Sequence, residues 1–262
     1  MKPLKIIKEI YDYREMIFSL VRRELRGRYK GSVLGFFWTF LNPLLQLAVY
    51  SVVFSTIIKV MDTDKYYIFL FVALIPWIFF STSVTGGSSS IVANKNMVTK
   101  IFFPREVIPI SYVTSCFVNM LLCFIVIFAV LLFSGVGFYI PALVFLPVVM
   151  LAEYVLALGF TLISSAITVF FRDLEHILGI VMMAWMYFTP IMYSESMIPE
   201  RYRQFFNINP MYHVIRAYRY ILYYKALPDL STVFWSGVCG LVFMVIGFIL
   251  FDILKKRFAE VL

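Results

Sequence analysis

The sequence predicts an all-α, polytopic membrane protein: six transmembrane helices, an N-terminal amphipathic interface helix, and re-entrant helices between spans five and six. Three observations carry this. Hydrophobic residues make up 62% of the 262-residue chain and charged residues only 15%, against roughly 25% charged in an average soluble domain. Apolar segments recur at about 33–58, 66–94, 107–134, 141–170, 177–193 and 232–251, and a bilayer-spanning helix needs ~20 apolar residues to cross ~30 Å of hydrocarbon. Residues 194–231, by contrast, are too charged to cross as a simple helix yet rich in Ile, Met, Tyr and Phe. That middling polarity fits interfacial or re-entrant helices lying against protein or a water-filled cavity.

The first junction sets the topology. Arg22, Arg23, Arg26, Arg28 and Lys30 fall within nine positions, and no charged side chain follows until Lys59. A dense cationic run beside a charge-free one marks a membrane boundary, with its cations expected at lipid headgroups. With a cytoplasmic amino terminus, sixteen of the twenty-three Lys and Arg residues fall on that side. The positive-inside rule then puts both termini in the cytoplasm, and an even number of crossings agrees. The net charge of +8 is thereby assigned to the membrane surface, and no nucleic-acid partner is expected. No secretory signal pattern follows Met1, so the first span is expected to act as an uncleaved signal.

Residues 1–30 are read as a cytoplasmic interface helix. Ile6, Ile10, Tyr13, Ile17, Val21 and Leu25 recur at three- and four-residue spacing, which gives a helix one apolar face. The membrane domain, 33–254, opens with a span holding Asn42, Pro43 and Gln46, where the proline removes a helix hydrogen bond and the polar groups should face protein or water. The second span carries Pro76 and Trp77 and then STSVTGGSSS at 81–90. That run suits either close helix packing or the wall of a polar path.

The 95–105 connection mixes Lys95, Lys100 and Arg105 with Met97, Val98, Ile101, Phe102 and Phe103. Two readings stand level for it, a short helix seated in a groove of another protein or a juxtamembrane helix resting on lipid. Spans three and four join through an uncharged turn, Gly135–Pro141, and Glu153 is the one acid well inside a span. A hydrogen-bonded structural role is expected of Glu153, with proton relay as the alternative. Asp173 is expected to cap the helix that follows it. Arg201, Arg203, Arg216 and Arg219, in the extracytoplasmic 194–231 region, are expected to meet lipid phosphates or an anionic substrate. Lys255, Lys256 and Arg257 are read as anchoring the inner end of span six.

Chemistry of other kinds is absent from the pattern. Cys116, Cys123 and Cys239 lie in apolar segments without CxxC or Cys/His spacing, and His176 and His213 fall on opposite sides, so neither a redox pair nor a metal site is expected. No phosphate loop, HExxH or GxSxG occurs, which leaves no catalytic site and no bound cofactor. Energy for transport must then come from an ion gradient or a separate ATPase.

Over nearly its whole length the chain resembles the permease subunit of ABC-2-type exporters for bacterial cell-surface polysaccharides, the group that exports O-antigen, capsule and teichoic acid. The likeness rests on RYKGSVLGFFWTFLNPLL at 28–45, PWIFF at 76–80, KNMVTKIFFPREVIPI at 95–110, FFRDLEHI at 170–177, FTPIMY at 188–193 and NPMY at 209–212. The resemblance implies a single permease domain over 1–262 that homodimerises, pairs with a dimer of ATPase subunits holding ATP and Mg, and sits in the bacterial inner or plasma membrane. A lipid-linked polysaccharide would pass from its cytoplasmic to its outer face. It further implies that 95–105 is the coupling helix, with Met97, Lys100, Ile101, Phe102, Phe103 and Arg105 meeting the ATPase, and that 194–231 forms an outer gate. Sugar rings stack on aromatic faces and 19% of the chain is aromatic, so Trp38, Tyr50, Trp77, Phe80, Trp185 and Tyr187, with Asn42, are candidates for channel or gate lining. Two rivals remain: an ABC-2 exporter of drugs or lipids, and a proton-coupled secondary transporter using Glu153.

Overall fold

The computed structural model describes residues 3–28, 30–57 and 65–262, and every regular element among them is helical. The chain begins with α1 (Pro3–Asp12) and α2 (Arg14–Gly27), interrupted at Tyr13. Leu20 and Val21 of α2 are buried, with Ile10, Tyr13, Met16 and Ile17 packed nearby. The predicted apolar stripe therefore covers protein, chiefly the third long helix. A 3-10 turn at Gly35–Phe37 leads into α3 (Trp38–Ser51), which continues as a π-helical turn to Ile57. Next come α4 (Tyr66–Ser88), the short α5 (Ser90–Ala93) and α6 (Lys95–Lys100), α7 (Val107–Phe133) and α8 (Ile140–Leu143). They are followed by α9 (Leu146–Thr168), α10 (Leu174–Tyr187), α11 (Glu200–Ile208), α12 (Pro210–Leu222), α13 (Leu230–Leu254) and α14 (Phe258–Val261).

Proline punctuates these boundaries. Pro141, Pro147 and Pro210 occupy the first helical positions of α8, α9 and α12, where a missing N–H costs no hydrogen bond and the fixed φ suits the helix.

Among the described residues, five stretches are long and apolar enough to cross a membrane: Gly35–Phe54, Tyr66–Ser88, Val107–Phe133, Ile140–Thr168 and Leu230–Arg257. The predicted fifth segment, 177–193, is shorter as a helix than its apolar run. Its helix, α10, has 14 residues, about 21 Å at 1.5 Å per residue, and residues 188–193 are irregular. The segment nevertheless links opposite ends of the bundle. Phe170, just before it, lies 6.1 Å from the Phe258 ring near the carboxyl terminus, whereas the Tyr66 hydroxyl donates to the Met192 carbonyl at 2.7 Å at the far end.

The far-end turn between α7 and α8 uses Gly135 and Gly137 at φ of 70° and 71°, a region open to glycine and strained for other residues. Two lysines clamp it. Lys65 Nζ donates to the Ser134 carbonyl at 2.7 Å and Lys225 Nζ to the Val136 carbonyl at 2.8 Å.

Helix α4 is the centre of the bundle. The 81–90 run is a packing seam: a Cβ on Gly86 would lie 2.0 Å from the Tyr112 hydroxyl, and one on Gly87 2.4 Å from Thr161 Cγ2. The hydroxyls of Ser81, Thr85, Ser88 and Ser89 turn to backbone, Thr85 to the Ser81 carbonyl at 2.7 Å, while Thr161 of α9 donates to the Ser83 carbonyl at 2.9 Å. The most extensive helix pair is α9 with α13. There a Cβ on Gly159 would sit 2.5 Å from the Phe243 carbonyl carbon, and one on Gly247 2.5 Å from the Gly159 oxygen. Lipid tails are as apolar as leucine, so helices in a bilayer hold together through this kind of close backbone approach.

Candidate functional site

At the N-terminal end of the bundle the 100–106 connection, the start of the chain and residues 255–256 enclose a cleft of about 560 Å³, lined by Glu9, Tyr13, Phe102, Arg105 and Lys255 among others. The connection splits its aromatic pair. Phe102 is 98% exposed and Phe103 only 7%. Ile101 leaves α6 in extended backbone, at φ −122°, ψ 138°. Ile101 and Lys100 are exposed and Met97 is half-buried.

The same connection is braced to the end of α13. The Arg105 guanidinium donates to the Lys255 carbonyl and lies 5.8 Å from the Phe258 ring centre. Lys255 Nζ pairs with the buried Glu106 carboxylate at 2.5 Å and with Asp252 at 2.8 Å. Phe258 in turn stands edge-on to Phe251 at 5.5 Å. Lys255 is thus an internal ion-pair partner, correcting its reading as a membrane anchor. These contacts join 101–106 to the end of α13, which itself packs on α9 through the glycine seam. Sequence held one signal for this brace: Glu106 is the only acid in an otherwise basic connection.

The cationic junction also divides. Arg22, Arg26 and Lys30 are exposed, and Arg23 donates to Asn94 Oδ1 at 2.7 Å. Arg28 turns inward instead of toward headgroups: it donates to Ser115 Oγ at 3.2 Å and Cys116 Sγ at 2.8 Å, and its guanidinium lies 5.7 Å from the Tyr112 ring centre. With Trp38, Asn42 and Asn119 it lines a cavity of about 130 Å³ between α3, α4 and α7.

The seven candidate lining residues fall into two groups. Trp77 and Phe80 are buried and Trp185 half-buried in an aromatic cluster, with Phe80 5.3 Å and Trp77 6.4 Å from Trp185, and Phe160 5.4 Å from it. These three hold α4, α9 and α10 together inside the protomer. Of the other four, Trp38 and Asn42 border the cavity between α3, α4 and α7, Tyr50 is half-buried against the core, and Tyr187 is exposed. Trp38 donates to Ser32 Oγ at 2.9 Å, and Asn42 accepts from Gln46 at 3.2 Å. Among described residues α3 buries only Thr39 and Pro43, and α10 only Met182.

At the far end, Asn209 is a node the sequence reading did not isolate, although it stands in the NPMY motif. Its Oδ1 accepts from Trp185 Nε1 at 2.9 Å and from the Met211 amide at 3.0 Å, capping α12. Its Nδ2 donates to the Phe188 carbonyl at 3.1 Å and Thr189 Oγ1 at 2.9 Å. The FTP and NP motifs are therefore one unit in space. Helix α12 is deeply packed against α4, α9 and α13, while α11 stays on the surface.

Arg219 belongs to that packed helix and does not meet the outside, contrary to expectation. It donates to the Ile191 carbonyl at 2.6 Å and the Tyr193 carbonyl at 3.3 Å and lies 3.6 Å from the Phe69 ring centre. Burial lowers its pKa to about 10, which leaves it cationic at neutral pH. Arg216 pairs with Glu195 at 3.4 Å, and Arg201 and Arg203 are exposed. Glu153 accepts from the Tyr218 hydroxyl at 2.7 Å, a partner 65 residues away that helical spacing alone did not reveal. Asp173 stands at the start of α10, yet its side chain forms no capping bond.

Comparison with known proteins adds to this geometry. Residues 15–223 match the ABC-2 type transporter family model. The chain is 36% identical over 98% of its length to an O-antigen export system permease protein, RfbA, of Myxococcus xanthus, covering 99% of that protein. It is 32% identical to an RfbA of Klebsiella pneumoniae, covering 95% of each, and 25% identical over 77% of its length to the polysialic acid transport protein KpsM of Escherichia coli, covering 78% of it. A family match over most of the chain, joined to a bundle of long apolar helices with a braced, exposed connection at one end, gives the conclusion: this chain belongs to the ABC-2 type transporter family.

Proposed function

We propose that this chain is the membrane-spanning permease subunit of an ATP-driven exporter. It moves a lipid-linked polysaccharide of the O-antigen, capsule or teichoic acid class from the cytoplasmic to the outer face of a bacterial inner or plasma membrane. The observation that carries this reading is the likeness to O-antigen export permeases along practically the whole chain. The chain binds no nucleotide itself in this reading, and a separate ATPase dimer holds ATP and Mg.

Both termini lie in the cytoplasm and the chain crosses six times. The distribution of Lys and Arg supports this, as does the passage of residues 171–192 from one end of the bundle to the other. Two copies pack through the exposed faces of α3 and α10, so that Trp38, Asn42, Tyr50 and Tyr187 face the path between them; in support, the first long helix is the least buried of the five. The 95–105 connection is the coupling element, with Phe102, Ile101 and Lys100 against the ATPase and Arg105 linking it to the carboxyl end. Residues 194–231 form the outer gate, held by the Asn209 node. Co-expression with an ABC ATPase subunit of the same export class tests the assignment. The two chains are expected to co-purify and hydrolyse ATP together while the isolated permease hydrolyses none; vigorous turnover by the permease alone contradicts it.

A further inference from the structure

Between α11, α12 and the start of α13, at the far end of the bundle, lies a recess of about 570 Å³, within the ~300–1,000 Å³ range of small-molecule sites. Its lining includes Asn207, His213, Arg216, Thr232 and Trp235. Trp235 is 51% exposed and offers a ring face. His213 and Thr232 are more than nine-tenths buried, and His213 Nδ1 and Thr232 Oγ1 have no hydrogen-bond partner among the described residues. Their roles are defined. His213 Nε2 lies 2.9 Å from the Asn207 carbonyl, which can only accept, so Nε2 carries the hydrogen and the neutral ring leaves Nδ1 as a bare acceptor. Thr232 can both donate and accept. Buried polar groups left unpaired are costly, on the order of 1–3 kcal/mol each, so two beside one recess point to a ligand that pairs them.

The charge of the recess selects the ligand. The charge of Arg216, its one cation, is offset by Glu195 at 3.4 Å, although its Nε has no hydrogen-bond partner among the described residues, and burial pushes the His213 imidazole toward its neutral form. What remains is a flat aromatic face beside uncharged hydrogen-bonding groups. That combination fits a ring with an apolar C–H face and a rim of hydroxyls better than a phosphate or carboxylate.

We infer that this recess is a carbohydrate subsite that holds a neutral pyranose ring on Trp235, with its hydroxyls paired to His213 and Thr232. The inference deepens the export reading, on which it rests for the source of the sugar: the subsite holds a ring of the polymer at the end where it emerges.

The test uses full-length protein in lipid nanodiscs and saturation-transfer NMR with the methyl glycosides of glucose, galactose, mannose and rhamnose as probes, against empty nanodiscs. At least one glycoside is expected to give ring-proton signals. Thr232→Val, which removes an unpaired hydroxyl without changing shape, should weaken them about threefold to tenfold, the worth of one neutral hydrogen bond. Its melting temperature should equal or exceed that of the wild type, since the unpaired hydroxyl is a cost in the unliganded protein. Trp235→Leu should abolish the signals, Trp235→Phe should retain them, and inorganic phosphate should not compete. No signal above empty nanodiscs, signals indifferent to Thr232→Val and Trp235→Leu, or displacement by phosphate would each overturn the subsite. The export reading fails separately: glycoside binding together with unchanged surface polymer on depletion of the chain upholds the subsite and removes the export role. Absent binding with lost surface polymer does the reverse.

Discussion

Replacing Asn209 with alanine should destabilise the far end of the bundle more than most polar substitutions would. The side chain makes four hydrogen bonds that join the end of α10 to the start of α12. Each neutral bond contributes about 1 kcal/mol net, and a half-buried donor left unpaired, as the Trp185 indole N–H would be, costs about 1–3 kcal/mol. Loss of an N-cap contributes about 1 kcal/mol of the same total. These contributions overlap, so about 3–4 kcal/mol is expected, a substantial part of the ~5–15 kcal/mol that holds a typical domain folded. Asn209→Asp separates the components. It keeps the acceptor for Trp185 and Met211 and loses the two donated bonds, so its loss should be about half that of alanine. Thermal unfolding of the purified protein, followed by tryptophan fluorescence, reads both. An alanine variant that melts with the wild type, or an aspartate variant no better than alanine, would refute the node.

Other predictions rest on separate contacts. Phe102→Asp should insert and fold normally but fail to co-purify with the ATPase, whereas Phe103→Asp places a charge in the core and should lower yield and melting temperature; assembly unchanged in Phe102→Asp would contradict the coupling role. Gly159→Val drives a Cβ to 2.5 Å from the Phe243 backbone, and should destabilise by about 3 kcal/mol or more, read as a lower melting temperature. Glu153→Gln keeps an acceptor for Tyr218 and should retain export, while Glu153→Leu strands the tyrosine hydroxyl at about 1–3 kcal/mol. Loss of export in the glutamine variant would favour a proton-carrying Glu153 instead.

What could be read from sequence was what depends on neighbours along the chain. Hydropathy and charge placed four of the six apolar segments within a few residues of α4, α7, α9 and α13, because insertion in a bilayer is decided locally by apolar length. The fifth is shorter as a helix than its apolar run, for a local reason as well. The apolar run continues to Tyr193, but Pro190 disfavours helix at the residue before it, and α10 stops at Tyr187. Longer-range pairings were not legible. Arg28, Arg219 and Lys255 look alike as isolated cations, and only folding brings Ser115, the Ile191 carbonyl and Glu106 to them. In the same way the 81–90 run reads equally as packing or path until Tyr112 and Thr161 are seen against its glycines.

The central claim is that this chain carries polysaccharide outward. Depleting it in cells and staining intact and permeabilised cells for the surface polymer tests this most directly. The account predicts that surface staining falls while lipid-linked polymer accumulates inside, and that a Phe102→Asp copy fails to restore it. Surface polymer at the undepleted level, with none accumulating within, would contradict it.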